Sequence, residues 1–175
     1  MKRLILFLPL ALFVLFLAVV AIRLGSGQDE QVRSHMIGKP MPEFALKQAV
    51  PSHPGLATAD LRSGGPRLVN IFGSWCIPCQ VESPQLLALK AKGIPIDAIA
   101  IRDRPEDVAR FLSRHGDPFA RIGDDPQSKV QFAIGSSGVP ETFVVDGHGI
   151  IRHQHIGEIR AEHVPELIAA WETAK

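Results

Sequence analysis

A mixed α/β domain, its sheet covered by helices on both faces and preceded by one N-terminal transmembrane helix, is predicted by three observations. Residues 4–22, "LILFLPLALFVLFLAVVAI", form a 19-residue run without a charge. Beyond it, short β-rich runs alternate with helix-like segments, the order that builds a sheet packed between helices. Two β-rich runs then flank Asp146-Gly147, a hairpin signal late in the chain.

Composition sets the limits. With 46% hydrophobic and 21% charged residues, the chain carries enough apolar material for one ordinary core, which excludes a disordered protein. After Arg23 there are 16 basic and 18 acidic residues, a net of −2, so nothing favours nucleic acid as a partner.

The apolar run would span about 28 Å as a helix, close to a hydrocarbon core. Lys2 and Arg3 precede it, while Asp29 and Glu30 follow soon after Arg23, which favours a cytoplasmic N-terminus and an exported remainder. Val19 and Ala21 would also fit a cleaved signal, but the run is longer than the ~7–15 residues of a signal core. Residues 1–23 are therefore read as a signal-anchor, residues 24–36 as a Gly- and Ser-containing linker, and residues 37–175 as the folded domain.

Within the domain a short strand is expected near Phe44 and Leu46, then a loop "AVPSHPG", then a buried strand "RLVNIF". A helix starting near the cysteines and bending at Pro84 continues through "QLLALKAKG" to a stop at Gly93. "IDAIAI" reads as a strand, and "PEDVARFLSRHG" as a helix with Pro and acids at its start and Gly116 at its end. A short helix is expected between Asp125 and Ile134, then the hairpin "ETFVVDGHGIIRHQHIG", then a closing amphipathic helix in "AEHVPELIAAWETAK".

The two cysteines, Cys76 and Cys79, lie in "FGSWCIPCQVE" between the buried strand and its helix. Unpaired N–H groups and the helix dipole at that position stabilise a thiolate, the nucleophile of disulfide exchange. Cys76 is thus the attacking residue. Cys79, one turn on, is placed to resolve the mixed disulfide. A structural staple closing so short a loop would constrain the unfolded chain little. A metal site would need two further ligands; His153 and His155 share one strand face, but there is no second CxxC, and no metal is expected. Trp75 would cover one side of the nucleophile and offer contact area to a substrate. Pro78 removes an N–H between the cysteines, which disfavours the thiolate and makes the pair more reducing.

"WCIPC" after an apolar strand, the downstream "GVPETFVV" and the Asp-Gly hairpin resemble the thioredoxin superfamily. Asn70, where thioredoxins have a buried aspartate, Glu82 three residues after Cys79, and "GSSGVPETFVVDGHGIIRHQHIG" make the chain most similar to the membrane-anchored reductases of cytochrome c maturation, the CcmG/DsbE type. Ser136-Ser137 replaces that family's Val-Tyr, and this chain has no tyrosine. The resemblance implies a cis peptide bond before Pro140 beside the cysteine pair and a Val139 backbone that pairs with an extended substrate, and Trp75, Val139, Pro140 and Glu141 are read as substrate-binding; Glu141 would add acidic character beside the pocket, with a simple surface side chain as its plainer alternative. The resemblance also implies that Glu82 raises the pKa of Cys79 or accepts its proton, a task the neutral Asn70 cannot perform; a helix-dipole role is the plainer alternative for Glu82. The function expected is exported disulfide reduction at a cysteine pair without other cofactors. Its substrates would be apocytochrome c or a haem-ligation thioredoxin, and electrons would come from a membrane donor of the DsbD/CcdA type. The enzyme would sit in the bacterial inner membrane with its catalytic domain in the periplasm.

Alternatives are a general periplasmic reductase, or a copper-site metallochaperone or thiol reductase on the same fold. Metallochaperones want a histidine near Pro140, where Gly138 and Val139 stand. "GKPMPEF" resembles the entry strand of peroxiredoxins, but "NIFGSWC" lacks their peroxidatic motif.

Overall fold

The computed structural model describes residues 2–25 and 34–175, with side chains described for residues 9–23 and 34–175. Helix α1 (Lys2–Gly25) contains Pro9, and its described side chains from Pro9 to Ile22 are apolar and, apart from the half-buried Val20, exposed. Among the described residues no helix is long and apolar enough to cross a membrane; the expected span begins at Leu4, and the side chains before residue 9 lie outside them. Most of the expected linker, residues 26–33, also lies outside the described residues. Ser34, read from the sequence as linker, already belongs to the folded unit: its N–H donates to Gln154 Oε1 at 2.6 Å and its hydroxyl to the Ile134 carbonyl at 2.6 Å.

That unit contains β1 (Ala45–Leu46), β2 (Leu56–Ala57), α2 (Thr58–Leu61), β3 (Arg67–Phe72), α3 (Ile77–Ala91), β4 (Ile96–Ile101) and α4 (Pro105–His115). It continues with β5 (Ile122–Asp125), α5 (Lys129–Ala133), β6 (Glu141–Val145), β7 (Ile151–Ile156), a 3-10 turn (Ala161–His163) and α6 (Val164–Thr173). The main sheet has the order β5-β4-β3-β6-β7, and β1 and β2 form a separate antiparallel pair. Strands β3, β4 and β5 run parallel, while β6 is antiparallel to both β3 and β7, so the sheet is mixed as the sequence predicts.

The two-residue alternation of β-strands sorts the core into two layers. Leu68 and Phe72 of β3 face the layer that holds Leu86 and Leu89 of α3, Phe111 of α4 and Leu167 of α6. Val69 and Ile71 face the other layer, with Leu61 of α2 and Val130 of α5. Asn70, between Val69 and Ile71, therefore points with Leu68 and Phe72 toward α3. The turn between β6 and β7 is closed by Asp146, which accepts the N–H of His148 and of Ile150 at 2.9 Å each, the side-chain turn that Asp-Gly foretells. Gly93 and Gly116, at φ 82° and 90°, follow α3 and α4 in backbone conformations that side-chain-bearing residues seldom adopt.

β5 is an addition to the sequence reading. "IGDD" lacks a strand pattern, and only parallel pairing with residues 98–101 of β4 makes it one.

Candidate active site

β3 delivers the chain to the start of α3, and Cys76 is the N-cap residue of that helix with an extended backbone, φ −85° and ψ 112°. Its sulfur accepts the Cys79 N–H at 3.2 Å, so one unpaired N–H of the helix start is spent on Cys76 Sγ, as thiolate stabilisation requires. Cys76 and Cys79 are joined by a disulfide, with Cα atoms 5.3 Å apart, and both are buried. Trp75 and Ile77, on either side of Cys76, are exposed at 53% and 71%, a projecting apolar rim around a recessed sulfur. The Trp75 indole N–H donates to the Ile101 carbonyl at 3.4 Å, which fixes the ring.

The 73–75 loop is tied from a second side. Asp103, just past the C-terminal end of β4, accepts the Ser74 hydroxyl at 2.7 Å and also the Ser74 N–H. Sequence reading passed over Asp103; the signal was an acid at the carboxyl end of a parallel strand, where open α/β sheets place their sites.

Val139-Pro140 is a cis peptide bond. The β3–β6 register pairs Ile71 with Glu141, so Pro140 falls beside the end of β3 that feeds the cysteine loop. The Pro140 carbonyl accepts the Gly157 N–H at 3.0 Å. Among the described residues, no hydrogen bond occupies the backbone of Val139.

Glu82 is fully buried on α3, one turn beyond Cys79. Its carboxyl is held by the Asn70 amide, which donates to Oε1 at 2.9 Å, and by the Ile159 N–H, which donates to Oε2 at 3.0 Å. Asn70 also donates to Thr142 Oγ1 at 2.9 Å, a bond made possible because Asn70 and Thr142 are register partners. Burial pushes the Glu82 pKa from 4.5 up to about 7; the bonds from Ile159 and Asn70 pull against it, and the charge of Glu158 adds a further rise. Glu82 is thus a carboxyl poised to exchange a proton near neutrality. Thr142 and Ile159 were missed by sequence reading. A backbone donor 77 residues away leaves no trace in the sequence around Glu82.

Glu141 is placed differently from the sequence expectation of a substrate-facing acid. Period-2 alternation turns it away from Thr142 and toward the opposite layer, where it is buried. Its Oε1 accepts both the N–H (2.9 Å) and the hydroxyl of Ser137, and its Oε2 accepts Gln154 Nε2 at 3.1 Å. The carboxylate is consumed in holding the 136–139 loop to β7. Ser137, which stands where the family has tyrosine, supplies half of that clamp.

The two strand histidines make different contacts. His153 lies 3.6 Å from Glu166, while His155 contacts the Glu158 carbonyl and packs against His163, their rings tilted by 51° with centroids 4.6 Å apart. Among the described residues no group of three or more His, Cys, Asp or Glu side chains could hold a metal ion.

A redox-active cysteine pair capping a helix beside a cis-proline strand defines a thiol:disulfide oxidoreductase of thioredoxin-like fold. The redoxin family profile matches residues 36–170, and the chain belongs to this thioredoxin-like family. It is 35% identical over 168 residues to the thiol:disulfide interchange protein HelX of Rhodobacter capsulatus, covering 96% of this chain and 95% of the relative. It is 36% identical over 162 residues to the thiol:disulfide interchange protein DsbE of Pseudomonas aeruginosa, covering 91% and 87%. The crystal structure of a DsbF homologue from Corynebacterium diphtheriae superposes with a TM-score of 0.63 at 22% identity, over 85% of this chain and 96% of that one, a likeness of fold.

Proposed function

We propose that this chain is a membrane-anchored, exported disulfide reductase of cytochrome c biogenesis, acting on apocytochrome c or on a haem-ligation thioredoxin. The observation that carries the reductive chemistry is the placement of Cys76 at the α3 cap with Glu82 buried one turn beyond Cys79. In the reduced enzyme the Cys76 thiolate attacks one sulfur of the substrate disulfide, forming the mixed disulfide and releasing one substrate thiolate. Cys79 then loses its proton and attacks Cys76 Sγ. That forms the Cys76–Cys79 disulfide and frees the second substrate sulfur, so the substrate gains the two electrons the enzyme gives up. Glu82 accepts the Cys79 proton. Its pKa of about 7 suits it to take that proton and to return it. Trp75 and Val139 hold the substrate, Trp75 through its exposed ring and Val139 through its unengaged backbone, which adds the substrate segment as a short strand beside Pro140. Glu141 positions Val139 through Ser137.

Helix α1, whose described side chains from Pro9 to Ile22 are apolar and mostly exposed, together with the uncharged run 4–22, supports a single-pass anchor that leaves the catalytic domain in the periplasm. The DsbE and HelX relatives support thiol:disulfide interchange with a protein partner, and the resemblance of "GVPETFVV" to the cytochrome c maturation reductases supports the substrate and a membrane electron donor of the DsbD/CcdA type.

The test is covalent capture. Cys79→Ser removes the resolving thiol, so the mixed disulfide on Cys76 is expected to accumulate in the membrane fraction, with Cys76→Ser capturing nothing. Mass spectrometry of the adduct should find apocytochrome c or a haem-ligation thioredoxin. A broad set of secreted proteins would instead make it a general reductase, and capture through Cys79 would reverse the assigned roles.

A further inference from the structure

Beside the cysteine loop lies a cleft of about 480 Å³ whose wall begins at Ser74, Trp75 and Gln80 and continues along the 102–104 loop and one face of α4. Four arginines, Arg102, Arg104, Arg110 and Arg114, line it against two acids, Asp103 and Asp107. Both acids are already engaged. Asp103 is bonded to Ser74 and to the Arg104 N–H, while the Asp107 carboxylate takes Arg104 on Oδ2 and Arg110 on Oδ1 at 2.7 and 2.6 Å. Arg114, one turn past Arg110, is exposed and has no acidic partner among the described residues. Arg102 takes up a left-handed backbone at φ 47°, rare for a residue with a side chain, and its Nε donates to Ser128 Oγ at 3.0 Å. The cleft thus carries an excess of two positive charges in a chain that is net acidic after Arg23.

From this we infer that the cleft is a second substrate subsite, which receives acidic side chains of the protein substrate flanking its disulfide. The inference rests on the reductase reading and names a feature of the substrates it acts on. The geometry fits because Trp75 belongs both to the cleft and to the rim of Cys76, so a polypeptide bound at Cys76 continues directly into the arginines. The Arg104–Asp107 and Arg110–Asp107 pairs are exposed, and such pairs contribute little, so each guanidinium can add a substrate carboxylate at small loss. The arginine forks match carboxylates in geometry as well as charge. Attraction of this kind acts mainly on the association rate and fades as salt shortens the Debye length.

The experiment follows reduction of three cyclic disulfide peptides by the reduced full-length protein in detergent. The peptides share a CxxC core and differ only in flanking residues, Glu-Glu, Ser-Ser or Lys-Lys. At low salt the Glu-flanked peptide is expected to react with a kcat/KM about 10-fold above the Ser-flanked one, with the Lys-flanked one slowest. In 0.5 M salt the three should converge. In Arg114→Glu, and in the milder Arg114→Gln should the first fold poorly, the Glu-to-Ser ratio is expected to fall toward one at low salt. Equal rates for the three peptides with the wild type, or an undiminished ratio in both Arg114 variants, would overturn the subsite while leaving the reductase reading intact. Failure to reduce any of the peptides would overturn both.

Discussion

Replacing Glu82 by Gln isolates the contribution of a buried, raised carboxyl, and its size follows from the structure. In the native protein Glu82 holds its proton up to about pH 7, whereas in the unfolded chain it releases it near 4.5. The native state therefore binds more protons between those values, so the stability this group contributes is fully present below pH 4.5 and is lost as pH rises through 7. At about 1.36 kcal/mol per pH unit, the loss across that window is about 3 kcal/mol. Gln does not ionise and escapes that loss, but its amide cannot accept both the Asn70 and the Ile159 donors, which costs about 1 kcal/mol. Glu82→Gln should accordingly be about 1 kcal/mol less stable than the wild type at pH 4.5 and about 2 kcal/mol more stable at pH 8, the curves crossing at about pH 5.2. Urea titrations of the oxidised proteins, followed by tryptophan fluorescence at several pH values, would measure this. Parallel stability curves would refute the raised pKa. The same variant should resolve mixed disulfides more slowly and without the wild-type pH dependence, so that a gain in stability accompanies a loss in function.

Asn70→Asp sets a second carboxylate against Glu82, where the two cannot both ionise; a destabilisation of about 2–4 kcal/mol at pH 8, shrinking toward pH 5, is expected in the same urea titrations. Glu141→Gln weakens the Ser137–Glu141–Gln154 clamp at a cost of about 1–3 kcal/mol. Its KM for peptide disulfides should rise several-fold while the reaction of Cys76 with a small disulfide reagent stays the same, and an unchanged KM would remove Glu141 from substrate positioning.

The readable parts of this protein are those fixed by local rules. "RLVNIF" is a strand because its apolar side chains can be buried on both faces, with Asn70 the one polar side chain among its buried residues, and Cys76 is a helix cap because Pro78 and the following helical pattern leave it there. The Asp146 turn is legible from two residues. What escaped is set by other parts of the chain. β5 exists through its partner β4, and the Arg102–Arg114 wall looks like an ordinary solvated helix face until the structure shows Trp75 at its end. Glu141 was within reach, since alternation along "PETFVV" already sends it away from Thr142; reading it as a substrate contact gave weight to its neighbour Pro140 and too little to the period of the strand.

The position of the acid has a structural consequence for the rest of the domain. With Asn70 on the strand and Glu82 on the helix, the ionisable group sits across the α3–sheet interface, and its charge state is governed by donors from both sides. Burial alone would drive the carboxyl higher; the Ile159 N–H and the Asn70 amide bring it back to about 7. Ile159 is presented by the segment that leaves β7, where His155 contacts the Glu158 carbonyl and the Gly157 N–H binds the Pro140 carbonyl. The last hairpin therefore reaches the chemistry twice, holding the cis-proline strand through Gly157 and tuning the carboxyl below Cys79 through Ile159. On the proposed mechanism, a change in this short segment is expected to shift substrate pairing and proton affinity together, although residues 155–159 lie some 80 positions from the cysteines.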